Sequence, residues 1–491
     1  MAALVPALAA SNWTSVVEII DRDWAEIWYA VDPSDLRVML TQLPDEEAAQ
    51  LTHGRFLLSV AGLRGDDPYV STSADPDASV ETAAQRMAEL RLNGQPLASL
   101  RIAERMNGEI VQRRGRLVDT TQGKAALWSI QVAISALLAG DLRSAKGLLL
   151  AATESHRPRR FPFVRREAAA KLALTHALAG KSTAARDWAD RARALPRTAS
   201  WVEPMIDDSL WLVDYVLAVD SLDLHRAEEM RLARPSPLDH LEFWGIALIT
   251  HVRHLALTAR HAQAESLHES IAALGLPLPR SDGWLAHMLS DSRLHALPHG
   301  DLAIRAPQTT EAVLAQRFGA FVKGQLPAVV APVPSLPDEA LAVRAELGLR
   351  ILRVQAFHTI NPTDATRSAL LGTLAEVWER DLPSTVRYVS SATAAALADT
   401  AEGSRLADLI RLHDLRLLEI APVTSEPLTP AESTVLEYLA AGHSRQQIAT
   451  QLTVSLSTVK SHLRTSYRKL GATNRAEALA ALELLVGTAD P

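Results

Sequence analysis

Two stretches of the chain, "LLAGDLRSAKGLLLAA" (137–152) and "ALAGKSTAARDWADRA" (177–192), share one frame: Ala-Gly, a small residue five positions after the glycine (Ala145, Ala185), then an apolar stripe. The copies stand about 40 residues apart, and a repeat of that length means helical hairpins, each too small to bury its apolar face alone and so obliged to stack. Weaker echoes follow at Ala227 in "SLDLHRAEEMRLA" and Ala264 in "TARHAQAESLHESIAAL". The repeat predicts an all-α body in which Gly140 and Gly180 end helices at a positive φ that needs no Cβ.

Gly180, Lys181 and Ser182 also form the last three positions of a P-loop, whose backbone N–H groups would cradle phosphates. The loop's first glycine should lie five residues before Gly180, where Thr175 stands. The preceding "RREAAAKLALTHALAG" has helical spacing and no β-branched strand to feed such a loop. Lys181 is therefore expected in an exposed turn. Over about 125–275 the chain resembles a degenerate tetratricopeptide array, whose small residues let paired helices approach closely. Before it, "NWTSVVEIIDRDWAEIWYAVDPSDLRVMLTQLPDEE" reads as short helices capped at Asp32, Pro33 and Pro44, followed by a loop at 64–79. After it, the Pro-rich "QLPAVVAPVPSLPDEA" (325–340) reads as a connector, and 338–418 returns to helices. Residues 1–420 are expected to form a helical-repeat sensory or interaction body.

The 491 residues exceed what one core usually serves, so at least two domains are expected. The lack of cysteine removes disulfides, thiolate metal sites and Cys nucleophiles together. No uncharged apolar run approaches a membrane span, and "MAALVPALAASNW" lacks a basic start, so a cytoplasmic, nucleoid-associated protein without membrane contact is expected. His251, His254, His261 and His268 recur at helical intervals without an HExxH or a third ligand, which favours packed or surface histidines over zinc. The helical spacing of Trp188, Trp201, Trp211 and their fellows favours core packing over a ligand groove. No nucleophile elbow or dinucleotide fingerprint occurs, so neither an enzyme nor a cofactor is expected.

The last 65 residues read differently. In 427–491 six Lys/Arg stand against five Asp/Glu, a balance of +1, so the net charge of −7 leaves −8 on 1–426. Between His443 and Ala476 there is no acidic residue, a local footprint suited to phosphate. Local rules parse four helices here. Thr429-Pro430-Ala431-Glu432 is a capping box with Pro at the first helical position, and Ser444-Arg445-Gln446-Gln447 is a second box. Ser455 caps a third helix, with Val454 and Val459 placed as a staple and Gly471 as its end; Asn474 with Glu477 opens a fourth. In the middle pair, Ile448, Ala449 and Leu452 face Val459, Leu463 and Leu470 across the short turn "TVS", a helix-turn-helix layout. Lys460, Ser461, Arg464 and Arg468 fall on the opposite side at i, i+1, i+4 and i+8, a cationic face that can enter the major groove.

These residues carry a resemblance. Leu428-Thr429-Pro430 with Glu432, Ile448-Ala449, Thr458-Val459-Lys460-Ser461-His462, Lys469-Leu470-Gly471 and Asn474-Arg475-Ala476-Glu477 are similar to the LuxR-type (GerE-like) DNA-binding domain of bacterial transcription regulators. Ala431 departs from the basic residue usual there, and Arg445 from the common Asn. The body more weakly resembles the tetratricopeptide-like region of large LuxR-type regulators, without their ATPase. The resemblance implies a linker at 421–427 and a four-helix domain at 428–491 on double-stranded promoter DNA. Lys460, Ser461 and Arg464 would contact bases, and Ser457, Thr458, Arg468, Lys469 and Arg475 phosphates. The segment from Asn474 to Leu485 would pair two domains into a homodimer on DNA, while the body receives a protein partner or small ligand. The competing expectation is an interaction scaffold whose DNA contact is auxiliary or lost.

Overall fold

The computed structural model describes residues 3–51, 124–154, 161–234, 242–264, 310–333, 343–423 and 426–482, with scattered positions between 57 and 105 and at 266–267. Among these the only β pairing is one isolated bridge, Ser390 to Leu418; the rest is helix and turn. The chain is all-α.

The first helices are α1 (Leu4–Ala9), α2 (Trp13–Ala30), α3 (Pro33–Leu40) and α4 (Asp45–Ala48). Asn12 caps α2 through the N–H of Ser15, and Asp32 caps α3 through Ser34, with Pro33 at the first position. α2 is longer than the short segments expected, and its backbone is kinked at Asp23. The expected loop at 64–79 lies outside the described residues.

The hairpins follow. α5 (Ala125–Ala139) pairs with α6 (Leu142–Thr153), α7 (Val164–Leu178) with α8 (Ser182–Ala194), and α9 (Glu203–Asp220) with α10 (Leu224–Leu232); α11 (Trp244–Leu257) opens the next. The first helices pack on one another in order, α5 on α7, α7 on α9 and α9 on α11, which makes a stack. Every unit closes with the same backbone bond. The N–H of Asp141 reaches the Ala136 carbonyl (2.9 Å), that of Lys181 reaches His176 (2.9 Å), that of Asp223 reaches Ala218 (2.9 Å) and that of Arg260 reaches Leu255 (2.8 Å). The residue before each of these donors has positive φ: Gly140 at 89°, Gly180 at 73°, Leu222 at 59° and Ala259 at 56°. This is the closure that satisfies the last helical carbonyls. The small residues Ala145, Ala185, Ala227 and Ala264 are each fully buried, where a larger side chain would hold the helices apart.

Gly180 thus belongs to architecture, and Lys181 is exposed beside it. Lys181→Ala is expected to shift the unfolding free energy by no more than about 0.5 kcal/mol, as at other surface positions. A thermal melt checks this, and a titration with ATP should give the same null result for both proteins.

Buried charges inside the stack stand in ion pairs, as Lys171 does. Lys171, 1 % exposed, lies 3.0 Å from Glu167 and 3.1 Å from Glu242. Burial pushes the His251 and His254 rings down to about 4, so both are neutral at pH 7, and His254 Nδ1 is 3.1 Å from the Tyr215 hydroxyl. His268 lies outside the described residues. Trp28 and Trp201 meet edge to face at 5.0 Å, and Trp188, Trp201 and Trp211 pack against the core.

Beyond the stack come α12 (Thr310–Val322), α13 (Leu326–Val330), α14 (Val343–Ile360), α15 (Asp364–Glu379), a 3₁₀ turn (Pro383–Tyr388), α16 (Ser391–Ala396) and α17 (Ala401–His413). The Pro-rich 325–340 was expected as a connector, but its first part is helix α13. Pro327 sits in the first helical turn, where a missing N–H costs nothing, and Leu326, Val329 and Val330 are buried. Residues 334–340 lie outside the described set. One hydrophobic core runs without a break from Tyr215 through α12–α17 into the last four helices.

Candidate nucleic-acid interface

The C-terminal helices are α18 (Pro430–Ala440), α19 (Arg445–Gln451), α20 (Leu456–Leu470) and α21 (Arg475–Leu482). Their starts are built from the short polar residues the sequence offers. Thr429 and Glu432 exchange the two bonds of a capping box, as do Ser444 and Gln447. The Ser455 hydroxyl accepts the N–H of Thr458 at 3.1 Å, and Asn474 Oδ1 accepts that of Glu477 at 2.9 Å. Gly471, at φ 66°, ends α20. Val454, expected to staple the start of α20, stays 38 % exposed while Val459 is buried.

α19 and α20 pack through Ile448 and Ala449 on one side and Val459, Leu463 and Leu470 on the other, all buried. The turn between them passes through Thr453 at φ 55°, with the Val454 N–H closing on the Ala449 carbonyl at 3.0 Å. Packing that side inward turns the other side out. Lys460, Ser461, Arg464 and Arg468 are all exposed, as is Ser457 on the first turn, with Thr458 half-buried beside it. The three hydroxyls of that turn lie together, Ser455 2.6 Å from Ser457 and 2.8 Å from Thr458.

An open groove of about 490 Å³ runs along this face, lined by Arg445, Lys460, Arg464, Tyr467, Arg468 and Thr473 among others, with no carboxylate among the described residues of its wall. Arg445 arrives from α19, so two helices contribute cations. Burial pushes the Tyr467 phenol up, and the nearby Arg445 and Arg475 guanidinium groups pull it back. Arg475 itself is exposed at the start of α21. Neither Arg445 nor Tyr467 is among the contact residues expected from sequence, where Arg445 figures only in a capping box and as a departure from the common Asn. The available signal was the departure from Asn at position 445, which places a cation at the helix N-terminal end that faces the groove.

Lys469 lies elsewhere. It was expected on phosphate, but its side chain is only 6 % exposed and its ammonium is consumed inside the protein, donating to Glu432 Oε2 and to the Pro427 carbonyl, each at 2.8 Å. Residue 469 falls between Ser466 and Leu470 on the buried side of α20, which turns its long side chain toward α18. Of the segment expected to pair domains, Ala478, Ala481 and Leu482 are buried and Leu479 half-buried; 483–485 lie outside the described residues.

Residues 426–482 match the GerE model, described as bacterial regulatory proteins, luxR family. Transcriptional activator protein BjaR1 of Bradyrhizobium diazoefficiens is 43 % identical over 68 residues, which is 14 % of this chain and 28 % of that protein. HTH-type transcriptional regulator MalT of Yersinia pestis is 42 % identical over 57 residues, 12 % of this chain and 6 % of MalT; MalT of Yersinia pseudotuberculosis matches to the same extent. The chain thus spans less than a third of either relative's length, through the C-terminal part alone. No solved structure matches the chain. Capped helices, buried crossing and family match coincide on one segment: residues 426–482 are a GerE domain of the luxR family of bacterial regulatory proteins.

Proposed function

We propose that this protein is a DNA-binding transcriptional regulator whose α20 enters the major groove of promoter DNA. One observation carries the reading: the exposed side of α20 is a row of cations and hydroxyls along a groove with no carboxylate among its described lining residues, in a segment that matches the luxR family. Lys and Arg from the start to the middle of such a helix reach guanine O6 and N7, and hydroxyls serve several bases. Lys460, Ser461 and Arg464 take that role. Ser457 and Thr458 at the helix start, Arg468, and Arg475 on α21 flank the groove and take phosphates, which set register. Arg445 joins them. Two copies pair through the C-terminal helix on half-sites of two-fold symmetry, and the body receives a protein partner or a small ligand.

Among the described residues no helix is long and apolar enough to cross a membrane; the reading places the protein in the cytoplasm, at the nucleoid. The test is a footprint on genomic fragments with the intact chain and with one ending at residue 427. Discrete protected sites for the first and none for the second are expected. Uniform, sequence-independent protection by the intact chain would instead favour an interaction scaffold with an auxiliary basic anchor.

A further inference from the structure

Helix α14 is clamped at both ends. At its start the buried Arg344 guanidinium forks onto Asp220, with Nε 2.9 Å from Oδ1, and donates its remaining N–H groups to the carbonyls of Ala177 (2.9 Å) and Leu178 (3.2 Å). Those carbonyls end α7, just before the Gly180 turn, so a cation there also meets the negative end of the helix dipole. The turn packs against the start of α14 as well: a Cβ at Gly180 would lie 3.4 Å from the Arg344 backbone nitrogen and 3.3 Å from the Leu382 side chain. The Ser384 hydroxyl reaches Asp220 from the far side at 3.4 Å.

At the other end α14 seats the GerE domain. The Ile360 carbonyl accepts the Leu428 N–H at 2.7 Å, and Asn361 Oδ1 accepts the Ser433 hydroxyl at 2.7 Å, all four residues being buried. Beside them Pro327 of α13 lies so close to Gly471 that a Cβ there would stand 2.9 Å from the Pro327 oxygen. The Ala421 N–H bonds the Val322 carbonyl at 2.9 Å, which ties the linker to the body as well. The domain is seated against the body with its cationic face uncovered.

We propose that α14 is a mechanical link between the repeat stack and the GerE domain, so that a ligand or partner that displaces the Ala177–Lys181 turn loosens the domain's seat. Eighteen helical residues span about 27 Å as one stiff element. Its two ends differ in kind. The Arg344–Asp220 end is a buried ion pair, costly to leave half-made. The Ile360–Asn361 end carries no buried charge: two neutral hydrogen bonds, each of small net worth, and apolar contacts continuous with the body's core hold it, so a shift there strands no ion. Movement at the first is therefore released at the second, and since the recognition face is uncovered, regulation acts by positioning the domain rather than by blocking it. The inference holds whatever the domain binds.

Hydrogen exchange of the full chain, followed by mass spectrometry, tests it. Asn361→Ala should speed exchange at 421–428, which establishes the seat in solution; unchanged protection there overturns the proposal. Arg344→Lys keeps the charge but cannot fork onto Asp220 and two carbonyls together. It should raise exchange at 421–428 by roughly tenfold, the worth of one charge-assisted bond, while the cores of α7 and α20 keep their protection. Ser384→Ala removes a single contact to Asp220 and should act in the same direction more weakly, without endangering the fold. A rise confined to 177–182 in both variants would show the two ends to be independent and overturn the proposal.

Discussion

Glu432→Ala is expected to destabilise the GerE domain by about 3–5 kcal/mol, the cost of leaving a buried charge without its partner. Glu432 Oε2 does two things at once: it accepts the Thr429 N–H at 2.8 Å, completing the capping box of α18, and it accepts Lys469 Nζ at 2.8 Å. Both side chains of the pair are under a tenth exposed. Removing the carboxylate therefore opens a helix start and strands an ammonium held only by the Pro427 carbonyl. The control is the double variant Glu432→Gln/Lys469→Met, which keeps a capping amide and removes both charges. It should recover most of the loss, because two buried charges replaced together by groups of similar shape cost little. Denaturation of the intact chain, followed by exchange over 430–470, measures both; a double variant no better than the single would mean that the pair is not what Glu432 supports.

The same pair sets a pH dependence. Burial alone would push the Glu432 carboxyl up, but the Lys469 ammonium and the Thr429 N–H outweigh it and hold the group below its ordinary 4.5. A carboxyl depressed in the folded state contributes stability that is present above its unfolded value and lost as pH falls through the folded one. Wild type should lose domain stability on acidification below about pH 4.5, and the double variant should lack that component.

Glu432 was legible as a cap and illegible as an ion-pair partner, and the difference is one of range. A capping box joins residues three apart, so "LTPAE" and "HSRQQ" declare themselves; the same holds for Gly140, Gly180 and Gly471, where only glycine escapes the Cβ penalty at positive φ. Where packing imposes that conformation on another residue, the signal fades. Leu222 and Ala259 occupy the same closing position as Gly140 and Gly180, so the third and fourth hairpins looked weak in sequence although their geometry repeats the first two. The cationic face of α20 followed from helical periodicity alone. The burial of Lys469, the arrival of Arg445 from α19 and the seating of Leu428 and Ser433 on Ile360 and Asn361 are set by helices distant in sequence, and no local pattern encodes them. Helix α13 was hidden for another reason: prolines at 327, 332, 334 and 337 read as a connector, yet the first of them starts a helix.

The cations of the α20 face are expected to divide into readers and anchors, and the division predicts different losses on DNA. Lys460 lies in the N-terminal half of α20, which meets base edges in helix-turn-helix docking, and Arg464 stands one turn after it near the helix middle; both are exposed. A guanidinium there makes two bonds to one guanine that no other base pair offers, so Arg464→Ala should cost about 1–3 kcal/mol at the preferred site and relax the preference at one base position. Arg475, exposed at the start of α21, is placed for a phosphate, which is the same on every sequence. Arg475→Ala should weaken all duplexes alike and flatten the log–log salt dependence by about one unit, the release of one counterion. Lys469 supplies the internal control. Its ammonium is already held by Glu432 and Pro427, so the salt slope of the Glu432→Gln/Lys469→Met variant should equal that of wild type even though a lysine is lost from the recognition helix. Titrations of the preferred site and of a random duplex at several salt concentrations separate the three. An equal and uniform loss from Arg464→Ala and Arg475→Ala on both duplexes would make the whole face a non-specific anchor, and the helical body would then be the working part of a scaffold.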